Sequence, residues 1–388
     1  MIWDELDDRL IELDREHLRR RRRTVDSACG TRLTVDGRDM LAFCSNDYLG
    51  LANHPQIVAA LCEGARRWGA GSGAAHAVSG HQRPHQQLEQ ALASFIDLPR
   101  ALLFSTGYMA NLGIVPTLVG RGDAIFADRL NHASLIDAAI ASGAEHKRYA
   151  HGDGAALRGL LEASTAQRKL ILTDAVFSMD GDIAPLPELF ALAETHDAWL
   201  MVDDAHGFGV LGAHGSGSLS HFNLPGSKRV IYMGTLGKAA GVAGAFVAGA
   251  DQVIEWLQQK SRTAIFTTAH PPAISCALLK SLELIAAGDE LRKVLNQRIV
   301  QLRNALAPLA AQRGWHLGAS QTAIQPLIVG SNQAALDLSV ALEQADIWVP
   351  AIRPPTVAQG RARLRITLSA AHSAADVAAL VTALSKTA

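Results

Sequence analysis

Short apolar runs alternate with helical patterns over much of this 388-residue chain, from about residue 55 to residue 275. Each run has the length of a buried strand and is followed by a polar or glycine-rich turn. Parallel strands joined by helices form sheets that are covered on both faces. The pattern therefore predicts a large α/β domain whose ligands bind beyond the carboxyl ends of the strands. The runs lie at residues 101–104, 124–127, 169–177, 198–203, 229–233 and 243–248.

The segments before and after this region have a different hydrophobic pattern. Apolar residues at helical spacing predict an amphipathic helix over residues 2–20, and the next segment predicts a hairpin that turns at Asp36-Gly37. A long helix is expected over residues 277–306, ending just before Pro308 because proline disrupts helices. We therefore expect an N-terminal segment (1–45), a large domain (46–275) and a smaller C-terminal α/β domain (276–388).

Composition excludes several classes of protein. The net charge of -1 argues against a nucleic-acid-binding protein, and the 48% of hydrophobic residues argues against a disordered chain. The acidic N-terminus lacks the apolar run of a signal peptide, and no uncharged stretch is typical of a membrane span. The four cysteines form no CxxC pair, which is typical of reduced thiols. We expect a cytoplasmic protein with no nucleic-acid or membrane partner.

Lysine is scarce in this chain, and one lysine has an unusual setting. Of the 36 basic residues only eight are lysines. Lys238 follows an apolar strand and lies among small residues in segment 234–241, with no carboxylate close to it in sequence. A desolvated lysine has a lowered pKa and can form a Schiff base. The other seven lysines lie beside arginines or at polar ends of helices and strands, as surface lysines do.

Polar residues at other strand ends could complete a cofactor site. Asp203 could pair with a protonated pyridine nitrogen, although a capping or solvated aspartate is an equally good interpretation of this segment alone. His206 could reach a phenolic oxygen of the same cofactor. His132 could stack on a flat ring, although a lone histidine before a helix is more often structural. His214 and His221 lack the spacing of metal ligands, so we expect no metal site.

A phosphate site is expected in the strand-to-helix turn at residues 105–111. The backbone N–H groups of Gly107 and Tyr108 would point out of a helix N-terminus, where anions bind. Ser178 and Thr235 place hydroxyl groups at neighbouring strand ends and could donate to the same phosphate. Segment 71–80 is glycine-rich but follows no predicted strand, so it is not a dinucleotide-binding loop.

Several segments, taken in order along nearly the whole chain, resemble the pyridoxal-phosphate-dependent α-oxoamine synthases. They are Ser45-Asn-Asp-Tyr-Leu-Gly-Leu51, Leu130-Asn-His-Ala-Ser134, Phe177-Ser-Met-Asp-Gly-Asp182, Val202-Asp-Asp-Ala-His-Gly207 and Thr235-Leu-Gly-Lys238. The C-terminal segments Ala323-Ile-Gln-Pro-Leu-Ile-Val-Gly330, Ala351-Ile-Arg-Pro-Pro-Thr-Val357 and Gly360-Arg-Ala-Arg-Leu-Arg365 sharpen the resemblance. Ala358 departs from it, since the family usually has proline there.

The resemblance implies the fold-type I aminotransferase architecture, a homodimer, and pyridoxal 5'-phosphate (PLP) as the cofactor. It implies that Lys238 forms the Schiff base with the cofactor, that Asp203 pairs with the ring nitrogen, and that His206 bonds the phenolic oxygen. His132 would stack on the ring and contact the substrate, and with Lys238 and Asp203 it makes up the catalytic set. The remaining cofactor contacts would come from Gly107, Tyr108, Ser178 and Thr235.

The resemblance also implies where the substrates bind. Arg365, with Asn46 nearby, would bind the carboxylate of the amino acid. Thr356 and one arginine of the run Arg19–Arg23, with Arg20 the best match, would contact the acyl substrate. The alternative for these arginines is a solvated helix end, where cations also suit the helix dipole.

The most similar branch of the family condenses L-alanine with a pimeloyl thioester. The thioester carrier is CoA or acyl-carrier protein, and the sequence leaves this choice open. The products are 8-amino-7-oxononanoate, CO2 and the free thiol, and the step belongs to biotin biosynthesis. The alternative is another α-oxoamine synthase that uses glycine and a short acyl-CoA.

Overall fold

The computed structural model describes residues 2–387, which form two compact units. The larger unit comprises residues 49–178 and 183–292. The smaller unit comprises residues 2–48, 179–182 and 293–387. The three-part division expected from the sequence stays a prediction.

The helices and strands are numbered in chain order. The strands are β1 (Arg32–Val35), β2 (Arg38–Ala42), β3 (Arg100–Phe104), β4 (Ala124–Asp128), β5 (Glu145–Tyr149), β6 (Lys169–Asp174), β7 (Trp199–Asp203), β8 (Val230–Thr235), β9 (Ala245–Gly249), β10 (His316–Leu317), β11 (Ile324–Gly330), β12 (Ile347–Trp348), β13 (Ala351–Ile352) and β14 (Ala362–Thr367). The helices are α1 (Ile2–Arg15), α2 (Pro55–Trp68), α3 (Arg83–Phe95), α4 (Gly107–Leu118), α5 (Ala133–Ser142), α6 (Gly154–Glu162), α7 (Leu186–Thr195), α8 (Ser218–His221), α9 (Asp251–Lys260), α10 (Arg262–Ile265), α11 (Pro272–Ala286), α12 (Asp289–Arg313), α13 (Asn332–Gln344) and α14 (Ala374–Lys386).

A seven-stranded sheet in the order β3-β9-β8-β7-β6-β4-β5 forms the centre of the larger unit. Strands β5, β4, β6, β7 and β8 are parallel, and β9 runs antiparallel between β8 and β3. The predicted mainly parallel sheet is therefore confirmed. The edge strand β5 was not predicted, because its residues are Glu, His, Lys, Arg and Tyr rather than an apolar run.

Two hydrophobic clusters cover this sheet. One cluster includes Ile114, Leu135 and Met201, and the other includes Phe126, Leu186 and other fully buried residues. Strands β4 and β9 are buried along their whole length. Continuous apolar strands of this kind are what a parallel sheet with two covered faces requires, and only the strand ends are left for polar groups.

The smaller unit contains a four-stranded sheet in the order β10-β11-β14-β13 and a three-stranded sheet in the order β1-β2-β12. The predicted hairpin is confirmed, since β1 and β2 pair antiparallel. Its turn residues Asp36 and Gly37 both have positive φ, at 49° and 77°, as a two-residue hairpin of this type needs. Segment 179–182 is held in this unit by Arg363, whose Nη1 donates to Asp180 Oδ1 at 2.7 Å.

The first helix is shorter than predicted. Helix α1 ends at Arg15, and the arginine run that was expected at its end lies outside any helix or strand. His17 adopts a positive φ of 58°, and the amides of Leu18 and Arg19 both donate to Leu13 O. This reversal closes the helix. The prediction was wrong because the apolar spacing continues past the residue at which the backbone turns.

The helix predicted over residues 277–306 is two helices, and the second runs through Pro308. Helix α11 ends at Ala286, and α12 continues to Arg313. Pro308 is exposed, so water can solvate the carbonyl that loses its helical partner. Buried Leu306 and Ala310 hold the helix on both sides of it. No helix in the described residues is long and apolar enough to span a membrane.

Candidate active site

Most of the predicted cofactor residues lie at one edge of the seven-stranded sheet. Asp203 is the last residue of β7, and Thr235 is the last residue of β8. His132 follows β4 by four residues, and Gly107 follows β3 by three residues. These strands all run in the same direction, so their carboxyl ends meet at the same edge.

Lys238 contacts His206 in the larger unit. The Nζ atom of Lys238 lies 2.8 Å from Nε2 of His206. His206 is buried, and Lys238 is half-buried between the small residues Gly237 and Ala239. Two nitrogens at hydrogen-bond distance require one of them to accept, so at least one of these side chains offers a lone pair. An amine with space around it and a neighbouring imidazole is a suitable arrangement for a covalently bound aldehyde cofactor.

Asp203 is a buried carboxylate that accepts hydrogen bonds at both oxygens. Its Oδ1 accepts from the backbone N–H of Ala205 at 3.0 Å, and its Oδ2 accepts from Asn111 Nδ2 at 2.8 Å. Asp174 is its direct neighbour in the β6–β7 register. Burial and then the charge of Asp203 raise the pKa of Asp174 well above its usual range, while the backbone N–H of His132 opposes this. This shift favours the neutral form of Asp174.

His132 caps helix α5 through its side chain. Its Nδ1 lies 2.7 Å from Ser134 Oγ and accepts from the backbone N–H of Ser134 at 3.2 Å. Partial desolvation lowers the pKa of His132, Lys238 adds to this effect, and Asp203 opposes it. The ring is therefore neutral near pH 7.

The first turn of α4 offers donors to an anion. Thr106 Oγ1 accepts from the N–H of Met109, while the N–H groups of Gly107 and Tyr108 donate to no other described residue. A Cβ built at Gly107 would lie 3.9 Å from Thr235 Oγ1, so that hydroxyl faces the same turn. Ser178 lies in the turn after β6. Free amides at the start of a twelve-residue helix, with a hydroxyl beside them, suit a phosphate group.

Arg365 and Asn46 lie together in the smaller unit. Both Nη atoms of Arg365 lie 3.2 Å from Asn46 Oδ1, and Nη1 also donates to Thr367 Oγ1 at 3.0 Å. Tyr48 donates its hydroxyl hydrogen to the same Asn46 oxygen. Arg365 is buried, and its planar fork is held by these neutral oxygen acceptors. A guanidinium oriented in this way can bind a carboxylate with two hydrogen bonds.

Within the arginine run, Arg20 is the residue that meets Thr356. Arg20 Nη2 donates to Thr356 Oγ1 at 3.3 Å. Arg19 instead pairs with Asp14, and Arg23 pairs with Asp36. The family resemblance favoured Arg20 within this run, although five consecutive arginines allow the alignment to shift by one residue.

Arg353 lies close to Arg20 and was not predicted as a site residue. Its guanidinium donates to the carbonyl of His17. Burial and the charge of Arg20 lower the pKa of Arg353. Neither guanidinium forms an ion pair with a carboxylate in the described part of the chain. Two cations brought together in this way suit an anionic ligand.

A histidine cluster near the start of α3 was also not anticipated. His76, His81 and His85 have ring nitrogens within 4.8 Å of one another, which could suggest a metal site. However, His85 Nδ1 accepts from the N–H of Gln82, and His85 Nε2 donates to the carbonyl of His270. Both ring nitrogens of His85 therefore form hydrogen bonds within the protein, and we interpret the cluster as structural.

Comparison with known proteins identifies the family of this chain. Residues 38–384 match the family model for aminotransferase class I and II, and the chain belongs to that family. An 8-amino-7-oxononanoate synthase of Dechloromonas aromatica is 62% identical over 387 residues, covering 99% of each chain. Within the aminotransferase class, this chain belongs with the 8-amino-7-oxononanoate synthases. The resemblance found in the sequence is thereby confirmed.

Solved structures extend the likeness to the fold. A variant of serine palmitoyltransferase from S. paucimobilis, with bound PLP-myriocin aldimine, has a TM-score of 0.92 and 28% identity, covering 99% of this chain and 96% of its own. The 8-amino-7-oxononanoate synthase of Francisella tularensis has a TM-score of 0.77 and 32% identity, covering 89% and 97%. The predicted fold-type I architecture is confirmed.

Proposed function

We propose that this chain condenses L-alanine with a pimeloyl thioester, of CoA or acyl-carrier protein, to give 8-amino-7-oxononanoate, CO2 and the free thiol in biotin biosynthesis. The observation that carries the proposal is the 62% identity, over 99% of both chains, to an 8-amino-7-oxononanoate synthase. The 2.8 Å contact between Lys238 and His206 at the sheet edge supports it, because the chemistry needs a reactive amine there.

Pyridoxal 5'-phosphate is the cofactor, and the residues of the larger unit fit it. The open amides of Gly107 and Tyr108, with Thr235 beside them and Ser178 as a further donor, would hold its phosphate. Asp203 would pair with its ring nitrogen, since a buried carboxylate stabilises a positive charge. When bound, the cofactor withdraws electrons from the Cα of the amino acid, so that a proton can leave this carbon.

Three side chains would act on the cofactor and substrate directly. Lys238 Nζ would bind the cofactor and then take the Cα proton of L-alanine. His206, at 2.8 Å from that amine, would bond the phenolic oxygen and keep the amine oriented. His132 would stack on the ring and donate a hydrogen bond to the carbonyl oxygen of the thioester. Its neutral ring is suited to this task because it has one donor and one acceptor.

The smaller unit would contribute the groups that recognise carboxylates. Arg365, with Asn46 beside it, would bind the carboxylate of L-alanine. Arg20 and Thr356 would bind the acyl substrate. The pimeloyl group carries a distal carboxylate, and the guanidinium of Arg353 adds a second positive charge near Arg20. We also propose that the enzyme acts as a homodimer in the cytoplasm.

The direct test is turnover of L-alanine with pimeloyl-CoA and, separately, with pimeloyl-acyl-carrier protein. We expect release of CO2 and free thiol with L-alanine and little product with glycine. Preference for glycine and a short acyl-CoA would assign the chain to another α-oxoamine synthase activity. Lys238→Ala should lose both turnover and the visible absorption band that PLP acquires when joined to a lysine. Persistence of the band and of turnover would disprove the role of Lys238.

A further inference from the structure

Two buried polar side chains connect His132 to Asp203, and neither was assigned a role above. Asn111 lies in α4 and Ser134 lies in α5, and both are at most 1% exposed. Asn111 Nδ2 lies 2.8 Å from Ser134 Oγ and 2.8 Å from Asp203 Oδ2. Ser134 Oγ in turn lies 2.7 Å from His132 Nδ1. The four side chains form one continuous hydrogen-bonded chain in the larger unit.

The direction of the hydrogen bonds between these four side chains is set at Asp203. An ionised carboxylate can only accept, so the group of Asn111 that faces it must be the NH2 group. The two hydrogens of Nδ2 are then given to Asp203 and to Ser134 Oγ. The other amide atom, Asn111 Oδ1, is buried and bonds to no described residue. The amide orientation is therefore determined by the two acceptors of Nδ2 and not by a partner of Oδ1.

The orientation of the Asn111 amide determines how the Ser134 hydroxyl bonds to His132. Ser134 Oγ accepts from Asn111 and keeps one hydrogen of its own, and His132 Nδ1 is the nitrogen within reach. The backbone N–H of Ser134 points at the same Nδ1 at 3.2 Å. A ring nitrogen that receives two donors cannot carry a hydrogen itself. The single hydrogen of the neutral imidazole must then be on Nε2.

We infer that Asn111 and Ser134 are positioning residues that hold His132 as the neutral tautomer with its hydrogen on Nε2. Protonation of Nδ1 would place a hydrogen against the N–H of Ser134 and would leave the Ser134 hydroxyl without this acceptor. The ring therefore presents a donor at Nε2 and resists becoming an imidazolium. The use of this donor on a thioester carbonyl rests on the proposed function, whereas the tautomer itself does not.

The test is a long-range 1H–15N NMR correlation of the imidazole rings in holoenzyme labelled with 15N-histidine. The His132 signals are identified by their loss in His132→Gln. We expect an unprotonated Nδ1 and a protonated Nε2 in the wild-type protein. Ser134→Ala removes one donor to Nδ1 and should shift the tautomer ratio towards Nδ1–H by about fivefold, the value of one ordinary hydrogen bond. Ser134→Thr keeps the hydroxyl and should keep the wild-type ratio.

A second variant changes the hydrogen bond between Asn111 and Ser134 at the Asn111 side. Asn111→Asp replaces the donor to Ser134 by an acceptor, so the serine hydrogen turns away from His132 and the ratio should shift as in Ser134→Ala. A hydrogen on Nδ1 in the wild-type protein, which needs no variant, would overturn the inference. An unchanged ratio in Ser134→Ala would also overturn it. The spectra are recorded without alanine or thioester, so a failed condensation assay does not affect this result.

Discussion

Arg365 offers the sharpest test of substrate recognition. The residue is 6% exposed, and three hydrogen bonds to Asn46 and Thr367 hold its guanidinium in one plane. In Arg365→Lys the positive charge stays, but the planar fork that can donate two bonds to one carboxylate is lost. We therefore expect weaker binding of L-alanine with little change in the rate of the chemical steps.

The magnitude follows from the bond that is lost. A hydrogen bond to a charged group contributes about 1.5–3 kcal/mol. Since each 1.4 kcal/mol is a factor of ten, the KM for L-alanine should rise by about 10- to 150-fold. The KM for the pimeloyl thioester should stay within about twofold, because Arg365 is assigned to the other substrate and a change of that size is worth less than one ordinary hydrogen bond.

The assay is a steady-state titration of L-alanine at saturating pimeloyl thioester, followed by thiol release. Arg361→Lys is the matched control, because Arg361 lies one residue before β14 and is exposed. It should leave both KM values unchanged. A wild-type KM for L-alanine in Arg365→Lys, in protein that melts at the wild-type temperature, would refute the assignment of Arg365.

Three further comparisons test other parts of the chain. Arg20→Ala should raise the KM for the pimeloyl thioester while Arg22→Ala should not, because only Arg20 donates to Thr356 among the described arginines of the run; equal effects would argue for general charge attraction. Gly64→Ala should lower the melting temperature, since the added Cβ would lie 2.9 Å from Ala273 Cα and overpacking costs about 1–3 kcal/mol. Gly159→Ala should raise the melting temperature, because there is open space around this helix position and alanine favours a helix more than glycine does. Burial, with a smaller effect of the neighbouring His85, lowers the pKa of His270 from 6.5 to about 4, so the folded state loses stability as the pH falls through this interval. His270→Gln should therefore flatten this part of the curve of unfolding free energy against pH. Parallel curves for the variant and the wild-type protein would contradict this.

The proposed cofactor residues of the larger unit could be predicted from the sequence because parallel strands end at the same edge of a sheet. Lys238, Asp203 and His206 each lie at or just after the end of an apolar strand, and the carboxyl ends of such strands meet at one edge. No long-range contact had to be known in advance. The strand β5 was not predicted in this way, because its mostly charged and polar residues lack the apolar run of a buried strand.

Other parts of the site depend on contacts between residues that are distant in sequence. Arg20 and Thr356 are separated by 336 residues, and the resemblance that favours Arg20 can shift by one residue along five consecutive arginines. Asn111 stands 92 residues from Asp203, and its sequence context is that of an ordinary helix residue. Pro308 likewise predicted a helix end, but helix α12 continues through it because buried residues on both sides pack against the rest of the protein.

The sequence by itself determined the type of sheet and predicted Lys238, Asp203 and His206 as parts of a cofactor site, because strand length, apolar content and strand-end chemistry are local properties. The tertiary structure alone decided where α1 and α11 end, that Arg20 donates to Thr356, and how Asn111 and Ser134 join His132 to Asp203. These features depend on the packing of segments far apart in the chain, and a hydrogen bond of about 3 Å has no counterpart in sequence spacing.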